Sequence, residues 1–206
     1  MLKANVGVLV SGGGTNLQAL LDAERAELLL HARIALVLSS SKEAYALERA
    51  KAADIKALAV EQAAHTHAAF EERLLAALTE HDIDLIVLAG FLPLLSAEFV
   101  RRYPMRILNV HPSLIPSFYG KGYYGLKVHE AALQKGVKLT GATVHFVNEE
   151  VDGGDILLQK AVEVQHGDTP QTLQRRVMEQ AEWVLLPEAV ELVSSAIVKE
   201  KPECAS

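Results

Sequence analysis

Asn109 and His111 stand at the end of a short apolar segment, Arg106 to Val110, which predicts a β-strand. Two residues apart on a strand, their side chains project from the same face. Pro112 follows at once and cannot continue a hydrogen-bond ladder, so the strand is expected to stop there. An amide beside an imidazole suits a reaction at a carbonyl group, because the amide can stabilise an oxyanion while the imidazole moves a proton. A turn with a capping side chain is the simpler alternative.

A glycine-rich turn follows the first predicted strand, Val6 to Val10. The turn, Ser11-Gly-Gly-Gly-Thr-Asn16, leads into a segment whose leucines keep helical spacing. Strand, turn and helix N-terminus together form an anion site, since free backbone amides and the helix dipole favour negative charge. The third glycine of a dinucleotide motif and the Gly-Lys-Ser/Thr of a Walker A loop are both absent. The sequence therefore predicts a site for a simple phosphate monoester, with a turn that binds no ligand as the alternative.

Asp152-Gly153-Gly154 lies between two further predicted strands, Ala142 to Val147 and Ile156 to Val164. The glycines would let the backbone pass close to a ligand. If the Asp152 carboxylate reached His111, it would fix the imidazole tautomer, favour the imidazolium and raise the histidine pKa. An ordinary hairpin turn is the alternative interpretation. His145, on the first of these strands, is interpreted as a buried structural histidine rather than a catalyst.

The order of predicted elements defines the fold class. Strands alternate with helices, which favours an α/β doubly wound, mostly parallel sheet with a C-terminal antiparallel extension. The last helix is predicted from about Thr169 to Val198, with a break near Pro187. We expect residues 1–198 to form a single domain and residues 199–206 a frayed tail. The other predicted strands are 34–38, 57–60 and 85–89, and the other helices are 43–53, 66–81, 97–102 with Ser96 as cap, and 127–135.

Composition narrows the class of function. The chain has 206 residues and a formal net charge of −6, and no segment is dense in lysine or arginine, which disfavours a nucleic-acid partner. Its single cysteine, Cys204, excludes an intrachain disulfide and a cysteine-based metal site. No signal peptide and no apolar segment of membrane-spanning length is evident. We therefore expect a cytoplasmic protein that acts on small molecules without a metal.

Several segments of the chain form a specific combination of motifs. They are Ser11-Gly-Gly-Gly-Thr-Asn-Leu-Gln-Ala-Leu20, Leu88-Ala-Gly-Phe-Leu92, Asn109-Val-His-Pro-Ser-Leu-Ile-Pro116, Gly141-Ala-Thr-Val-His-Phe-Val147 and Val151-Asp-Gly-Gly154 followed by Ile156-Leu-Leu-Gln159. Together they make nearly the whole chain resemble phosphoribosylglycinamide formyltransferase. The resemblance implies transfer of a formyl group from 10-formyltetrahydrofolate, as co-substrate, to the amino group of glycinamide ribonucleotide. It implies no metal and leaves a monomer or a homodimer equally open.

The resemblance also assigns roles to individual residues. It implies catalysis by Asn109, His111 and Asp152: the substrate amine attacks the formyl carbon, Asn109 and protonated His111 stabilise the oxyanion, and Asp152 sustains the imidazolium. It implies phosphate binding by Gly14, Thr15 and Asn16, and ribose binding by Glu182 or alternatively Glu179. The implied folate site comprises His67, Phe91, Leu92, Pro93, Leu94, Leu95, Asn109, Asn148, Glu149, Glu150, Val151 and Asp152.

Some positions depart from the family pattern. His67 and Pro93 stand where family members commonly carry arginine, and Gly120 to Gly125 resembles a longer loop variant that some members have. Two other classes of function stay open. One is the related hydrolase, which releases formate from 10-formyltetrahydrofolate with the same Asn-x-His-Pro core. The other is a non-catalytic nucleotide-binding module, which would not require the pairing of His111 with Asp152.

Overall fold

The computed structural model describes residues 2–201, and these residues form one seven-stranded sheet. The strand order is β3-β2-β1-β4-β5-β6-β7. The first five strands run parallel, whereas β6 is antiparallel to β5 and β7 is antiparallel to β6. The predicted parallel sheet with an antiparallel extension is confirmed. The strands are β1 (Ala4–Val10), β2 (Ala32–Ser39), β3 (Ala57–Ala59), β4 (Leu85–Leu88), β5 (Ile107–His111), β6 (Leu139–Phe146) and β7 (Ile156–Glu163).

Helices connect the strands and cover the sheet. They are α1 (Thr15–Arg25), α2 (Ala46–Ala52), α3 (His67–Glu80), α4 (Ala97–Arg102), α5 (Leu126–Lys135), α6 (Pro170–Val177) and α7 (Trp183–Glu200). Two buried apolar clusters result, one that includes residues of α1 and α7 and one that includes residues of α3 and α4. Alternate residues of β5 divide between them, since Leu108 and Val110 join the first cluster and Ile107 joins the second. No helix among the described residues is long and apolar enough to cross a membrane.

The direction of strand progression reverses between β1 and β4, which are hydrogen-bonded neighbours in the middle of the sheet. β2 and β3 extend the sheet to one side of this pair, and β5 extends it to the other. In open α/β sheets, a crevice forms at the carboxyl ends of the strands where the order reverses. Here the glycine-rich loop follows β1 and the segment beginning at Gly90 follows β4, and the Ser11 amide donates to the Gly90 carbonyl over 3.1 Å. The topology therefore brings the two loops together.

Several predicted boundaries were wrong, each for a local reason. Strand β6 begins at Leu139 rather than Ala142, because Gly141 continues the strand where a Cβ would collide with the Lys160 carbonyl. Helix α2 begins at Ala46 rather than Glu43, because Lys42 and Glu43 form a turn before it. The remaining predicted strands and helices agree with the structure to within a few residues.

The last helix is interrupted at a π-helical turn, Met178–Glu182, rather than at Pro187, which lies inside α7. The ring of a proline clashes with the carbonyl four residues earlier, here that of Trp183, so the distortion falls on the preceding turn. Helix α7 also continues through Lys199 and Glu200, which the sequence had assigned to the frayed tail. Cys204 lies outside the described residues.

Candidate active site

Asn109, His111 and Asp152 meet at the carboxyl end of β5. His111 Nδ1 lies 3.4 Å from Asp152 Oδ2, and Asn109 Nδ2 donates to Asp152 Oδ1 over 3.3 Å. Asn109 and His111 share one face of the strand, as their spacing predicts, and Asp152 reaches them from the loop between β6 and β7. Asp152 has a φ of +55°, a left-handed conformation that aspartate tolerates better than most residues. The structure thus assembles the three predicted residues in one cluster.

His111 is almost fully buried and has an acceptor near each ring nitrogen. Its Nε2 lies 2.9 Å from the Phe118 carbonyl oxygen, and Asp152 lies on the Nδ1 side. Burial lowers the pKa of His111 below its ordinary value, and this effect outweighs the raising effects of Asp152 and the Phe118 carbonyl. The predicted net increase was therefore wrong, although Asp152 acts in the expected direction. Desolvation dominates because a loop folds over the imidazole.

That loop is the aromatic segment Ser117 to Gly125, to which the sequence assigned no role. Its Phe118 carbonyl contacts His111, and its Gly120 amide donates to Asp152 Oδ2 over 3.0 Å. Burial raises the pKa of Asp152, but the nearby imidazoles of His145 and His111 and the hydrogen bond from the Gly120 amide together hold it below its ordinary value. The loop backbone therefore stabilises the aspartate as the carboxylate.

His145 belongs to the same cluster, which sequence reasoning missed. Its Nε2 lies 3.1 Å from Asn109 Nδ2 and 3.6 Å from Asp152 Oδ1, and its Nδ1 lies 2.9 Å from the Phe146 carbonyl oxygen. It is buried, as predicted, but it is not merely a core residue. In the antiparallel pairing of β5 with β6, Asn109 is directly opposite His145. No local motif reveals that register, so the sequence carried no signal for this contact.

His129, which the sequence left without a role, is fully buried on α5, and neither ring nitrogen has a hydrogen-bond partner among the described residues. Burial, together with the charge of His111, lowers the pKa of His129 to about 4. His129 is therefore neutral at physiological pH.

The two glycines after Asp152 have a structural function. A Cβ at Gly154 would collide with the Phe146 carbonyl, and a Cβ at Gly153 would lie 2.7 Å from the Glu150 Cβ. The close approach is therefore between segments of this loop and β6. These glycines let the loop turn tightly enough to aim Asp152 at β5, and their expected close approach to a ligand stays a prediction.

The predicted anion loop has the expected geometry. Gly14 adopts a left-handed φ of +70° directly before α1, which begins at Thr15. The amides in the first turn of a helix have no partner within the helix, so they remain available to an anion. A Cβ on Gly14 would approach the Ala46 Cβ to 2.6 Å, whereas Cβ atoms on Gly12 and Gly13 would meet nothing within 4 Å. Gly14 is thus required by packing against α2, and Gly12 and Gly13 border open space.

Glu182, from the π-helical turn, lies beside this loop. It is 6% exposed, and its Oε2 accepts from Asn16 Nδ2 over 2.8 Å. Burial raises the pKa of Glu182 to about 7, against a smaller lowering by the Asn16 hydrogen bond. Glu179 instead points to the surface, where its Oε1 pairs with Arg175 Nε over 2.7 Å. Of the two glutamates that the sequence proposed for the ribose, only Glu182 lies at the anion loop.

Apart from His67 and Asn109, the residues predicted to line a folate site fall into two segments, one after β4 and one between β6 and β7. In the segment after β4, Leu92 and Leu94 are exposed, Pro93 is buried and Phe91 stacks on Phe70. The segment therefore presents two apolar side chains to solvent beyond the carboxyl end of β4. His67 lies on α3 with Nε2 3.3 Å from Glu71 Oε1, so its imidazole faces a carboxylate of the protein.

The second segment is the loop that carries Asp152. Val151 is exposed next to the aspartate, and Glu149 pairs with Arg101 on the surface over 2.7 Å. Asn148 closes the loop on itself, since its Oδ1 accepts from the Glu150 amide and its Nδ2 donates to the Gly153 carbonyl. The amide of Asn148 therefore shapes the loop.

A surface groove of about 830 Å³ borders the anion loop at Thr15 and extends along α1 and α7 past Leu28, Trp183 and Pro187. None of Asn109, His111 and Asp152 lines it. We therefore locate the candidate active site by the cluster of side chains and not by the volume of this groove. No group of three or more metal-ligating side chains occurs within the described part of the chain.

Comparison with known proteins identifies the class. Residues 4–190 match the family model described as formyl transferase, and the chain belongs to that family. Glycinamide ribonucleotide transformylase 1 from Symbiobacterium toebii is similar in structure, with a TM-score of 0.88 and 42% identity over 94% of this chain and 89% of that one. The resemblance to phosphoribosylglycinamide formyltransferase that the motifs predicted is thereby confirmed.

This chain covers only part of the length of two further relatives. The trifunctional purine biosynthetic protein adenosine-3 of Bos taurus is 43% identical over 198 residues, which is 96% of this chain but 19% of that protein. The chain thus spans about one fifth of that relative's length. A formyltetrahydrofolate deformylase from Pseudomonas syringae pv. tomato is less similar, with 27% identity and a TM-score of 0.83 over 94% of this chain and 62% of that one.

Proposed function

We propose that the protein transfers the formyl group of 10-formyltetrahydrofolate to the amino group of glycinamide ribonucleotide, a step of purine biosynthesis. The observation that carries the proposal is the position of the Asn109–His111–Asp152 cluster at the carboxyl end of β5 and of the anion loop at the carboxyl end of β1, two parallel strands that are separated by β4 alone. A hydrolase needs only the cluster, whereas a transferase also needs a site for a second organic substrate. The loop before α1 is suited to the phosphate of that substrate.

In the proposed mechanism, the substrate amine attacks the formyl carbon and a tetrahedral oxyanion forms. The Phe118 carbonyl must first move away from His111 Nε2, which then takes the proton that the amine loses while Nδ1 stays beside Asp152. The lowered pKa of His111 in the free protein suits it to begin as the neutral acceptor. The resulting imidazolium lies against Asp152 and helps to stabilise the oxyanion. The proton then passes to the departing folate nitrogen as the carbon–nitrogen bond breaks, which regenerates neutral His111 and releases tetrahydrofolate.

Asn109 is the proposed hydrogen-bond donor to the oxyanion, but its side-chain amide already has partners in the structure. Its Nδ2 already donates towards His145 Nε2 and Asp152 Oδ1 at 3.1 and 3.3 Å. An amide nitrogen has two hydrogens, so a formyl oxygen must replace one of these partners. The longer contact with Asp152 is the one we expect to open, because Asp152 gains an imidazolium partner at the same stage. His145 then holds the amide in place as a positioning residue.

Substrate binding is divided between the two loops. We assign the phosphate to the backbone of Gly14, Thr15 and Asn16, and the ribose hydroxyls to Glu182. Glu182 is favoured over Glu179 because it lies beside Asn16 instead of pairing with a surface arginine. The folate lies against Phe91 to Leu95 and the loop of Asn148 to Asp152. We place the whole activity in one domain, residues 1–198, acting on small molecules in the cytoplasm as a monomer or homodimer and without a metal.

The decisive experiment measures tetrahydrofolate formation from 10-formyltetrahydrofolate with and without glycinamide ribonucleotide, together with a formate assay. We expect rapid conversion only when the ribonucleotide is present, with the formylated ribonucleotide as product and no formate. Equal rates in both reactions with stoichiometric formate would establish the hydrolase instead. Ligand binding without any turnover would favour the non-catalytic module.

A further inference from the structure

The segment Phe91 to Leu95 is attached at its C-terminal end to a buried carboxylate of α3. Glu71 is 7% exposed, and both of its oxygens are occupied by one residue at the end of this segment. Oε1 accepts from the Ser96 amide and Oε2 accepts from the Ser96 hydroxyl, each over 2.6 Å. Hydrogen bonds of this length to an ionised acceptor are among the stronger ones in proteins.

Ser96 transmits this attachment to the next helix. Its hydroxyl donates to Glu71 and at the same time accepts from the Phe99 amide over 3.2 Å, which makes Ser96 the N-cap of α4. His67, one turn earlier on α3, adds a third contact to Glu71 Oε1 at 3.3 Å. The carboxylate therefore joins α3, the end of the segment and the start of α4.

The N-terminal end of the segment is attached independently. Phe91 stacks on Phe70, with ring centroids 6.3 Å apart and an interplanar angle of 11°. The Leu92 amide donates to the Ser11 hydroxyl over 2.9 Å. Between the two attachments, the side chains of Leu92 and Leu94 are 67% and 63% exposed. Two apolar side chains are thus presented to solvent by a backbone that has no regular secondary structure of its own but is held at both ends.

We propose that Glu71 is a positioning residue for the folate site: it holds Leu92 and Leu94 in place before the co-substrate binds. The inference rests on the proposed function, since it assumes that this segment receives the folate. A binding segment that is ordered in advance loses less conformational entropy on binding, so the attachment raises affinity without touching the ligand. Glu71 makes no contact with the catalytic cluster, so the chemical step should be unaffected.

The test is Glu71→Gln, which keeps the size of the side chain but replaces one acceptor oxygen with an amide that cannot accept. We expect the KM for 10-formyltetrahydrofolate to rise roughly tenfold, which corresponds to about 1.4 kcal/mol of binding free energy. The KM for the ribonucleotide and kcat should change less than twofold. Glu72→Gln is the matched control, because Glu72 is the next residue of α3 and is exposed. It should leave all three parameters unchanged.

A second variant and a direct binding measurement separate this inference from the proposed function. Glu71→Asp retains the charge but is one methylene shorter, and we expect its effect on the folate KM to be intermediate. Calorimetric titration with tetrahydrofolate should show the same ranking of affinities in variants that melt within a few degrees of the wild type. An unchanged tetrahydrofolate affinity in Glu71→Gln, or equal increases in both KM values, would overturn the positioning role. Tetrahydrofolate binding with the expected ranking but no transfer activity would overturn only the proposed transferase.

Discussion

The anion loop and the Asn109–His111–Asp152 cluster both lie at the carboxyl ends of parallel strands but are built in opposite ways. The loop is continuous in sequence from Ser11 to Asn16 and uses backbone amides, a left-handed glycine and a helix N-terminus. The cluster takes side chains or backbone groups from several distant segments: the end of β5, β6, the aromatic loop and the loop before β7. The loop is therefore a local structure, and the cluster exists only because the sheet brings its parts together.

The electrostatics differ in the same way. At the anion loop, one glutamate is buried with a single neutral partner, so burial controls its pKa. In the cluster, the hydrogen-bond donors and imidazoles around Asp152 together outweigh the effect of burial on its pKa. At His111, burial outweighs the effect of the neighbouring acceptors on the pKa. The comparison teaches that, in the proposed function, substrate binding depends on an open backbone surface and chemistry on a closed network of side chains. Substitutions at the anion loop should accordingly impair substrate binding, and substitutions in the cluster should impair the chemical step.

The largest effect is expected from Asp152→Asn in the cluster. We predict a fall in kcat of about 10²–10⁴-fold, because the imidazolium of His111 loses its charged partner. The acidic limb of the kcat/KM profile should move to lower pH, since Asp152 raises the pKa of His111 and that contribution disappears. Asp155→Asn, three residues away and exposed, is the control and should have near wild-type kinetics. A near wild-type rate in Asp152→Asn, with an unchanged circular dichroism spectrum, would contradict the catalytic assignment.

A substitution at the anion loop should change binding and leave chemistry intact. We predict that Gly13→Val raises the KM for the ribonucleotide by roughly tenfold or more, because the new side chain occupies the open space in front of the loop. The folate KM should stay the same. Gly14→Ala is the informative partner: its Cβ is directed at Ala46, so we expect a lower melting temperature there. Equal loss of both substrates in Gly13→Val would indicate that the loop had unfolded.

Glu182→Gln should separate binding from stability. The folded-state pKa of Glu182 is raised to about 7 from 4.5. Its contribution to the free energy of unfolding is therefore fully present below about pH 4.5, where the side chain is neutral, and is lost as the pH rises through 7. Glutamine removes that loss, and we expect a gain on the order of 2 kcal/mol in the free energy of unfolding at pH 8, with almost none at pH 4.5. Urea unfolding at the two pH values measures it.

The same variant should raise the ribonucleotide KM several-fold if Glu182 holds the ribose, because a carboxylate accepts hydrogen bonds from two hydroxyls and an amide from fewer. Glu179→Gln serves as the control and should alter neither property. Greater stability with an unchanged KM would mean that the glutamate does not contact the substrate.

The smallest effect is expected from a chelator. Neither region requires a metal in the proposed mechanism, so prolonged dialysis against EDTA should leave the transfer rate within experimental error. Inactivation that added zinc or magnesium reversed would require a different mechanism for the cluster.

The sequence by itself determined the local structures and their order. The apolar segment before Ser11 and the glycines after it predicted the strand, turn and helix of the anion site, and Ser96 marked the start of α4. The spacing of Asn109 and His111 placed both side chains on one face of β5. These features depend on neighbours within a few residues, where spacing and residue type are sufficient.

Only the tertiary structure determined the contacts between those local features. The opposition of His145 to Asn109 depends on the register of β5 with β6, and the contact of the Phe118 carbonyl with His111 depends on how the aromatic loop folds back. The contact of Glu182, and not Glu179, with Asn16 depends on the π-helical turn that precedes α7. The direction of the His111 pKa shift is also a tertiary property, because desolvation is the sum of everything packed around the imidazole, and no spacing of residue types along the chain specifies that sum.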